Sequence, residues 1–304
     1  METGPAKRAG RVKNAVLIAG PTASGKSAMA LDLASKLNGA IINTDSMQVY
    51  AGLRLLTARP SEEEERSAPH HLYGHVDPAA DYSTGIWLRE VMALFDEDRL
   101  EGRRPIFVGG TGLYFRALTE GLSEMPEIPQ SVRDRWRYHL LEDGVAKLHA
   151  ILLRRDPVAA MRIRNTDSQR IVRALEVLDA SGRSILEWQA MRGEPLVDMS
   201  SARAGVLDVP RELLVPRIDR RLERMVEEGA IREVEAFLSL GIGEAQPAMK
   251  AIGVREFGEV ISGVATIEAA LERAKIATRQ YAKRQATWFR HQLGDRWKRV
   301  GNAA

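Results

Sequence analysis

Gly20-Pro21-Thr22-Ala23-Ser24-Gly25-Lys26-Ser27 has the residue types and spacing that cradle phosphate. Glycines bring backbone N–H groups close to an anion, a lysine adds a full charge, and a serine hydroxyl can reach a Mg²⁺ bridging phosphate oxygens. The motif fixes phosphate binding and leaves the reaction open. Asp45, in Asp45-Ser46-Met47-Gln48-Val49-Tyr50, follows an apolar run. A carboxylate there can hold Mg²⁺ through water, contact a ribose, act as a general base, or simply cap the next turn, and position alone does not separate these roles. Gly109-Gly110-Thr111-Gly112 offers a hydroxyl on flexible backbone, although a tight turn accounts for three glycines as well. His70, His71 and His75 lack a carboxylate at fixed spacing, so the pattern does not favour a metal site.

These groups need elements to position them. Ala15-Val16-Leu17-Ile18-Ala19 reads as a strand entering the phosphate loop, and Ala28-Met29-Ala30-Leu31-Asp32-Leu33-Ala34 as the helix leaving it. Ala40-Ile41-Ile42-Asn43-Thr44 and Pro105-Ile106-Phe107-Val108 read as further buried strands, ending at Asp45 and at the glycine turn. Ser61-Glu62-Glu63-Glu64 predicts a capping box, and the apolar spacing between residues 82 and 100 predicts a helix. From Ser131 to about Met191 the pattern is helical throughout, and residues 205–210 predict a late strand. We therefore expect an α/β fold, a P-loop NTPase-like parallel sheet core with an all-helical insertion domain. Residues 1–123 and 201–304 form the core, and 124–200 the insertion.

Composition narrows the classes. The 304 residues contain no cysteine, which excludes disulfides, thiolate metal sites and a cysteine nucleophile. No apolar run is long enough to cross a membrane, and the basic N-terminus leads into a strand rather than a signal sequence, so a cytoplasmic enzyme is expected. The net charge of +3 is unevenly spread: residues 273–299 hold nine Lys/Arg against one acid, Asp295. Residues 154–173 hold six Arg against Asp156 and Asp167. Two basic segments suit a polyanionic partner. Lys275, Arg279 and Lys283 recur every four residues on the last helix, with Arg290 seven further on and Arg284 and Gln280 beside them. They predict a cationic stripe along a phosphate backbone. Trp288 and Phe289 fit core packing better than base stacking.

Together these segments resemble the tRNA dimethylallyltransferase family, also called tRNA isopentenyltransferases. The resemblance rests on residues 20–27, on residues 45–50, and on Ala68-Pro69-His70-His71-Leu72. It continues through residues 108–118 (VGGTGLYFRAL), 167–177 (DSQRIVRALEV) and 277–288 (ATRQYAKRQATW), in the family's order. It implies transfer of a dimethylallyl group from dimethylallyl diphosphate to N6 of the adenosine 3′-adjacent to the anticodon, with release of pyrophosphate. Carried over, the loop binds the diphosphate with Lys26, Ser27 and Mg²⁺, Asp45 is the general base, Thr111 touches both substrates, and Arg217 steadies the pyrophosphate. The implied contacts to the tRNA anticodon stem-loop are Asp45, Ser46, Met47, Gln48, Thr111, Arg133, Gln169, Arg170, Ile171, Val172 and Arg173. Lys275, Arg279, Lys283 and Arg284 of the stripe join them. The target base must leave its stack to reach the site. A monomer is expected.

Two positions depart from the family pattern. Leu56 stands in Leu56-Thr57-Ala58-Arg59-Pro60 where the family commonly has glycine, and Gly253-Val254 replaces Gly-Tyr. Both departures bear on tRNA contacts rather than on Lys26, Asp45 or Thr111. The rival readings are an adenylate isopentenyltransferase, which has no use for the insertion and basic stripes, a small-molecule P-loop kinase, and a non-catalytic RNA-binding protein.

Overall fold

A computed structural model describes residues 12–191 and 193–301. The chain separates into two compact units, residues 1–119 with 195–304, and residues 120–194. The boundaries expected at 123/124 and 200/201 thus shift by several residues. The second shift has a visible cause. Residues 196–198 exchange backbone hydrogen bonds with Val12 and Leu118 and so belong to the first unit.

The first unit is built on β1 (Val16–Ala19), α1 (Lys26–Leu37), β2 (Gly39–Asn43), α2 (Glu62–Ser67), β3 (His70–His71), α3 (Thr84–Asp96), β4 (Arg104–Gly109) and α4 (Gly112–Glu120). The second unit holds α5 (Gln130–Arg155), α6 (Pro157–Arg162), α7 (Ser168–Ser181) and α8 (Ile185–Ala190). The chain then returns to the first unit through β5 (Arg203–Leu207), α9 (Arg211–Glu227), α10 (Ala230–Leu238), α11 (Val254–Ile261), α12 (Ile267–Gln292) and β6 (Lys298–Val300).

All six strands are parallel, in the order β3-β2-β4-β1-β5-β6. β1 is buried on both faces, which is why its sequence is a continuous apolar run rather than an alternation. Successive side chains still take opposite faces. Val16 and Ile18 join Ile41, Ile106 and Val108 against Ala30 and Ala34 of α1, whereas Leu17 joins Ile42 and Phe107 in the larger core with Trp87. The predicted capping box is present on α2: Ser61 accepts from Glu64 N, and Glu64 accepts from Ser61 N at 2.8 Å. Because β1 sits between β4 and β5, with β2 beyond β4, the loops after β1, β4 and β2 lie side by side at the carboxyl edge. That edge is where open α/β sheets bind ligands.

The second unit is entirely helical among its described residues and has its own core, which includes Trp136, Leu148, Leu152, Ile171, Val172 and Leu175. α5 is two helical stretches joined at Gly144, whose backbone (φ 75°, ψ 165°) is not helical. Asp179 on α7 fastens both stretches, accepting from Arg135 and from the Trp136 indole in the first and Arg155 in the second.

Candidate active site

The phosphate loop turns through left-handed backbone at Ala23 (φ 61°) and Gly25 (φ 90°) and enters α1 with no side chain capping its first turn. The first N–H groups of a twelve-residue helix therefore remain for an anion. Ser24 Oγ is buried in the loop without a hydrogen-bond partner, and Ser27 is exposed on the first turn. Lys26 folds over the loop, its Nζ donating to the Pro21 carbonyl at 3.3 Å. Burial pulls its pKa down to about 8, with Asp45 opposing that fall and Arg221 adding to it. Lys26 thus holds its charge below about pH 8 and loses it above. For a phosphate-bearing substrate held by Lys26, we expect kcat/KM to decline through about pH 8 and Lys26→Arg to move that decline upward, because kcat/KM reports free-enzyme groups. A profile flat from about pH 7 to 9 in the native enzyme would contradict this role for Lys26.

Asp45 follows β2 on a turn fixed by a buried polar residue. Asn43 Oδ1 accepts from Asp45 N at 2.8 Å, and its Nδ2 donates to the carbonyls of Asp45 and Leu72, both at 2.9 Å. The Trp87 indole donates to the Asn43 carbonyl at 3.0 Å and stacks on Tyr114 at 4.1 Å between centroids. Asp45 Oδ1 caps its own turn by accepting from Met47 N at 3.0 Å. Its charge also acts on Lys26 and Arg221, so the capping and chemical readings are compatible.

Thr111 meets this turn from β4. Its N–H donates to the Thr44 carbonyl at 3.1 Å, its Oγ1 accepts from Ser46 N at 2.9 Å, and its hydroxyl lies 3.2 Å from Ser46 Oγ. The glycines here sit in close approach, and Gly109 is required by it, because a Cβ there would lie 2.1 Å from the Thr44 carbonyl. A Cβ on Gly110 would lie 2.1 Å from Gln285 Nε2, and one on Gly112 would lie 2.0 Å from the Trp288 ring. The sequence suggested a generic tight turn, whereas the glycines admit α12.

Arg221 on α9 was missed by sequence reasoning. Its Nη1 donates to Thr22 Oγ1 at 3.1 Å, and burial lowers its pKa to about 10 against the opposing pull of Asp45. It lies one helical turn beyond Arg217, the arginine that the resemblance singled out. Ser27 and Arg221 open onto a cleft of about 370 Å³, whose walls include Ala30, Leu31, Ile41 and Tyr73.

Several residues lie elsewhere than expected. Ile171 and Val172 are core residues of the helical unit, so their side chains do not face RNA, while Gln169 and Arg170 are exposed and Arg173 is half-buried. Arg133 is half-buried on α5. Gln48 turns its amide inward, donating to the carbonyls of Thr57 at 2.8 Å and Ala58 at 2.9 Å. The cationic stripe is corrected most. Lys275 is buried and bonds Glu223 and Glu272, at 2.8 and 3.0 Å, and Arg279 grips both oxygens of Asp219, at 2.8 and 2.6 Å. Asp219 and Glu223 are themselves four residues apart on α9, so the four-residue repeat on α12 matches an acidic repeat on its neighbour. Lys283 and Arg284 remain exposed, and they line an open groove with Gln280, Thr287, Trp288 and His291. Phe289 is core, as expected.

Of the three histidines, His75 bonds Glu90 at 2.8 Å and His70 bonds the Ala68 carbonyl at 2.8 Å, and no group of three His, Asp or Glu side chains that could hold a metal occurs among the described residues. The two departures from the family pattern, Leu56 and Val254, both lie in the core of the first unit. Leu56 packs on Gly253, whose Cβ position lies 2.5 Å from Leu56 Cδ1, and Leu56 and Val254 are both buried. They alter packing rather than an exposed RNA contact. No helix is long and apolar enough to cross a membrane among the described residues.

The family model for IPP transferase matches residues 48–292, and that for isopentenyl transferase matches residues 13–72. The chain belongs to the tRNA dimethylallyltransferase (IPP transferase) family. It is 62% identical over 291 residues to the tRNA dimethylallyltransferase of Mesorhizobium japonicum, covering 96% of this chain and 90% of the relative. Its fold is similar to the crystal structure of a tRNA isopentenylpyrophosphate transferase from Bacillus halodurans, with a TM-score of 0.67 at 34% identity over 95% of this chain and 90% of that one. It is also similar to a eukaryotic dimethylallyltransferase acting on tRNA, with a TM-score of 0.76 at 29% identity over 91% and 70% of the two chains.

Proposed function

We propose that this enzyme transfers the dimethylallyl group of dimethylallyl diphosphate to N6 of a tRNA adenosine, at the position 3′-adjacent to the anticodon. The observation that carries the reading is the joining of the phosphate loop, Asp45 and Thr111 at one sheet edge, with Thr111 bonded to both Thr44 and Ser46. N6 attacks the carbon bearing the diphosphate, the N–C bond forms as the C–O bond breaks, and the N6 proton passes to Asp45. The electron pair of the broken bond leaves with pyrophosphate, whose growing charge faces Lys26, Arg221 and the first turn of α1. The cleft beside Ser27 and Arg221 gives the diphosphate its approach.

The donor set fits Mg²⁺, an ion that takes few protein ligands and keeps waters and substrate phosphates. Ser27 would hold it, and it would offset charge on the diphosphate. Sequential digestion of tRNA after reaction and mass analysis of its nucleosides tests the assignment. A dimethylallyl increment confined to the adenosine beside the anticodon supports it, and an unmodified adenosine there would refute it.

For tRNA we assign the exposed Lys283 and Arg284 groove of the first unit, and Arg133, Gln169, Arg170 and Arg173 of the helical unit. A Lys283→Ala, Arg284→Ala double variant should weaken tRNA binding and reduce the slope of log K against log[salt] by about one to two. Arg279→Ala, which removes an internal ion pair, should lower thermal stability and leave that slope in place. The reverse pattern would return the RNA track to Arg279.

A further inference from the structure

We infer that Gln285 is a positioning residue that sets the spacing between the leaving-group cradle and the acceptor side of the site, an inference that rests on the transferase reading above. Beyond the last β1–β4 pair, Ala19 with Gly109, the two loops leave the sheet and share no backbone hydrogen bond among the described residues. The Gln285 side chain spans them. Gln285 Oε1 accepts from Thr22 N in the phosphate loop at 2.9 Å, and Gln285 Nε2 donates to the Gly110 carbonyl, before Thr111, at 2.9 Å.

The chemistry of the bridge selects glutamine. One end must accept from an N–H and the other must donate to a carbonyl, and a neutral primary amide does both. Gln285 is 6% exposed, so an unmatched group at either end would be costly. Its helix is a firm base. α12 is tied to α9 through Lys275–Glu223 and Arg279–Asp219, and Trp288 seats against Gly112. The absence of a side chain at Gly110 is what admits the amide.

The two anchored peptides flank the reacting groups. Thr22 Oγ1 accepts from Arg221, and Thr111 Oγ1 accepts from Ser46 N next to Asp45. Asp45 Oδ2 lies 3.2 Å from the Cβ position of Gly110, so a shift of that turn moves the carboxylate's surroundings. A displacement of about 1 Å between a leaving group and a general base can cost about 100-fold in rate with little effect on binding.

The test compares Gln285→Leu with Gln285→Met; both fill the space of the amide and remove the acceptor for Thr22 and the donor to Gly110. Both are assayed beside the native enzyme, with sites counted by equilibrium binding of pyrophosphate with Mg²⁺. Per binding-competent site, we expect kcat to fall at least about tenfold in both variants, while KM for diphosphate and for tRNA stays within about threefold. A native kcat per competent site in either variant overturns the inference, because Gln285 would then serve stability alone. So does loss of pyrophosphate binding in both variants, which would make Gln285 part of the anion site itself. Failure of the native enzyme to modify tRNA would instead strike the transferase reading.

Discussion

Asp45→Asn is expected to lower turnover by about two to four orders of magnitude while leaving tRNA affinity within about threefold. The amide keeps the shape of the carboxylate, and its oxygen can still accept from Met47 N as Asp45 Oδ1 does at 3.0 Å. The turn is held independently by Asn43 and by the Thr111–Ser46 bond, so the fold around position 45 survives the change. What disappears is the proposed base for the N6 proton and a negative charge acting on Lys26 and Arg221. Two measurements separate these losses. Single-turnover transfer reads the chemical step, and filter binding reads tRNA affinity. Near-native single-turnover rates in Asp45→Asn would remove Asp45 from the proton transfer and leave it as the cap of its turn.

Arg221→Ala is the second large effect, with an expected loss of about 30- to 150-fold in kcat/KM for dimethylallyl diphosphate, the equivalent of about 2–3 kcal/mol for a charge-assisted contact. Arg221 bonds Thr22 Oγ1 in the loop, and its partial burial lowers its pKa. A partly buried cation beside an anion site exerts more than one on the surface. The neighbouring Arg220 provides the control, because it is exposed and its Nε bonds the Pro216 carbonyl of its own helix. Arg220→Ala should stay within about twofold. Equal losses in the two variants would show a general effect of charge on α9 rather than a contact to the diphosphate.

The phosphate loop, its strand and its helix were legible from residues 15–34 because their determinants are local: an apolar run, glycines, and a helical repeat. The same holds for the box at Ser61 and Glu64, where cap and partner are three residues apart. The helical insertion was legible as a run of helical spacing without strands, although its edges shifted where residues 196–198 pair with Val12 and Leu118. Long-range complementarity was not legible. The repeat of Lys275 and Arg279 looked like an RNA track because its partners, Asp219 and Glu223, lie more than fifty residues away. Ile171 and Val172 follow the exposed Gln169 and Arg170 in one motif, so the motif alone did not separate surface from core. Arg221 was overlooked beside Arg217 because both lie on the same helix and only the fold brings one of them to Thr22. Asn43, at the end of an otherwise apolar strand, was a visible anomaly whose meaning required Asp45 and Leu72 in space.

Transfer of label from dimethylallyl diphosphate, with Mg²⁺, to unmodified tRNA and to AMP in parallel tests the central claim most directly. The account predicts label in tRNA and none in AMP. Label in AMP would contradict it and move the acceptor to a free nucleotide, and label in neither would remove the transferase reading altogether.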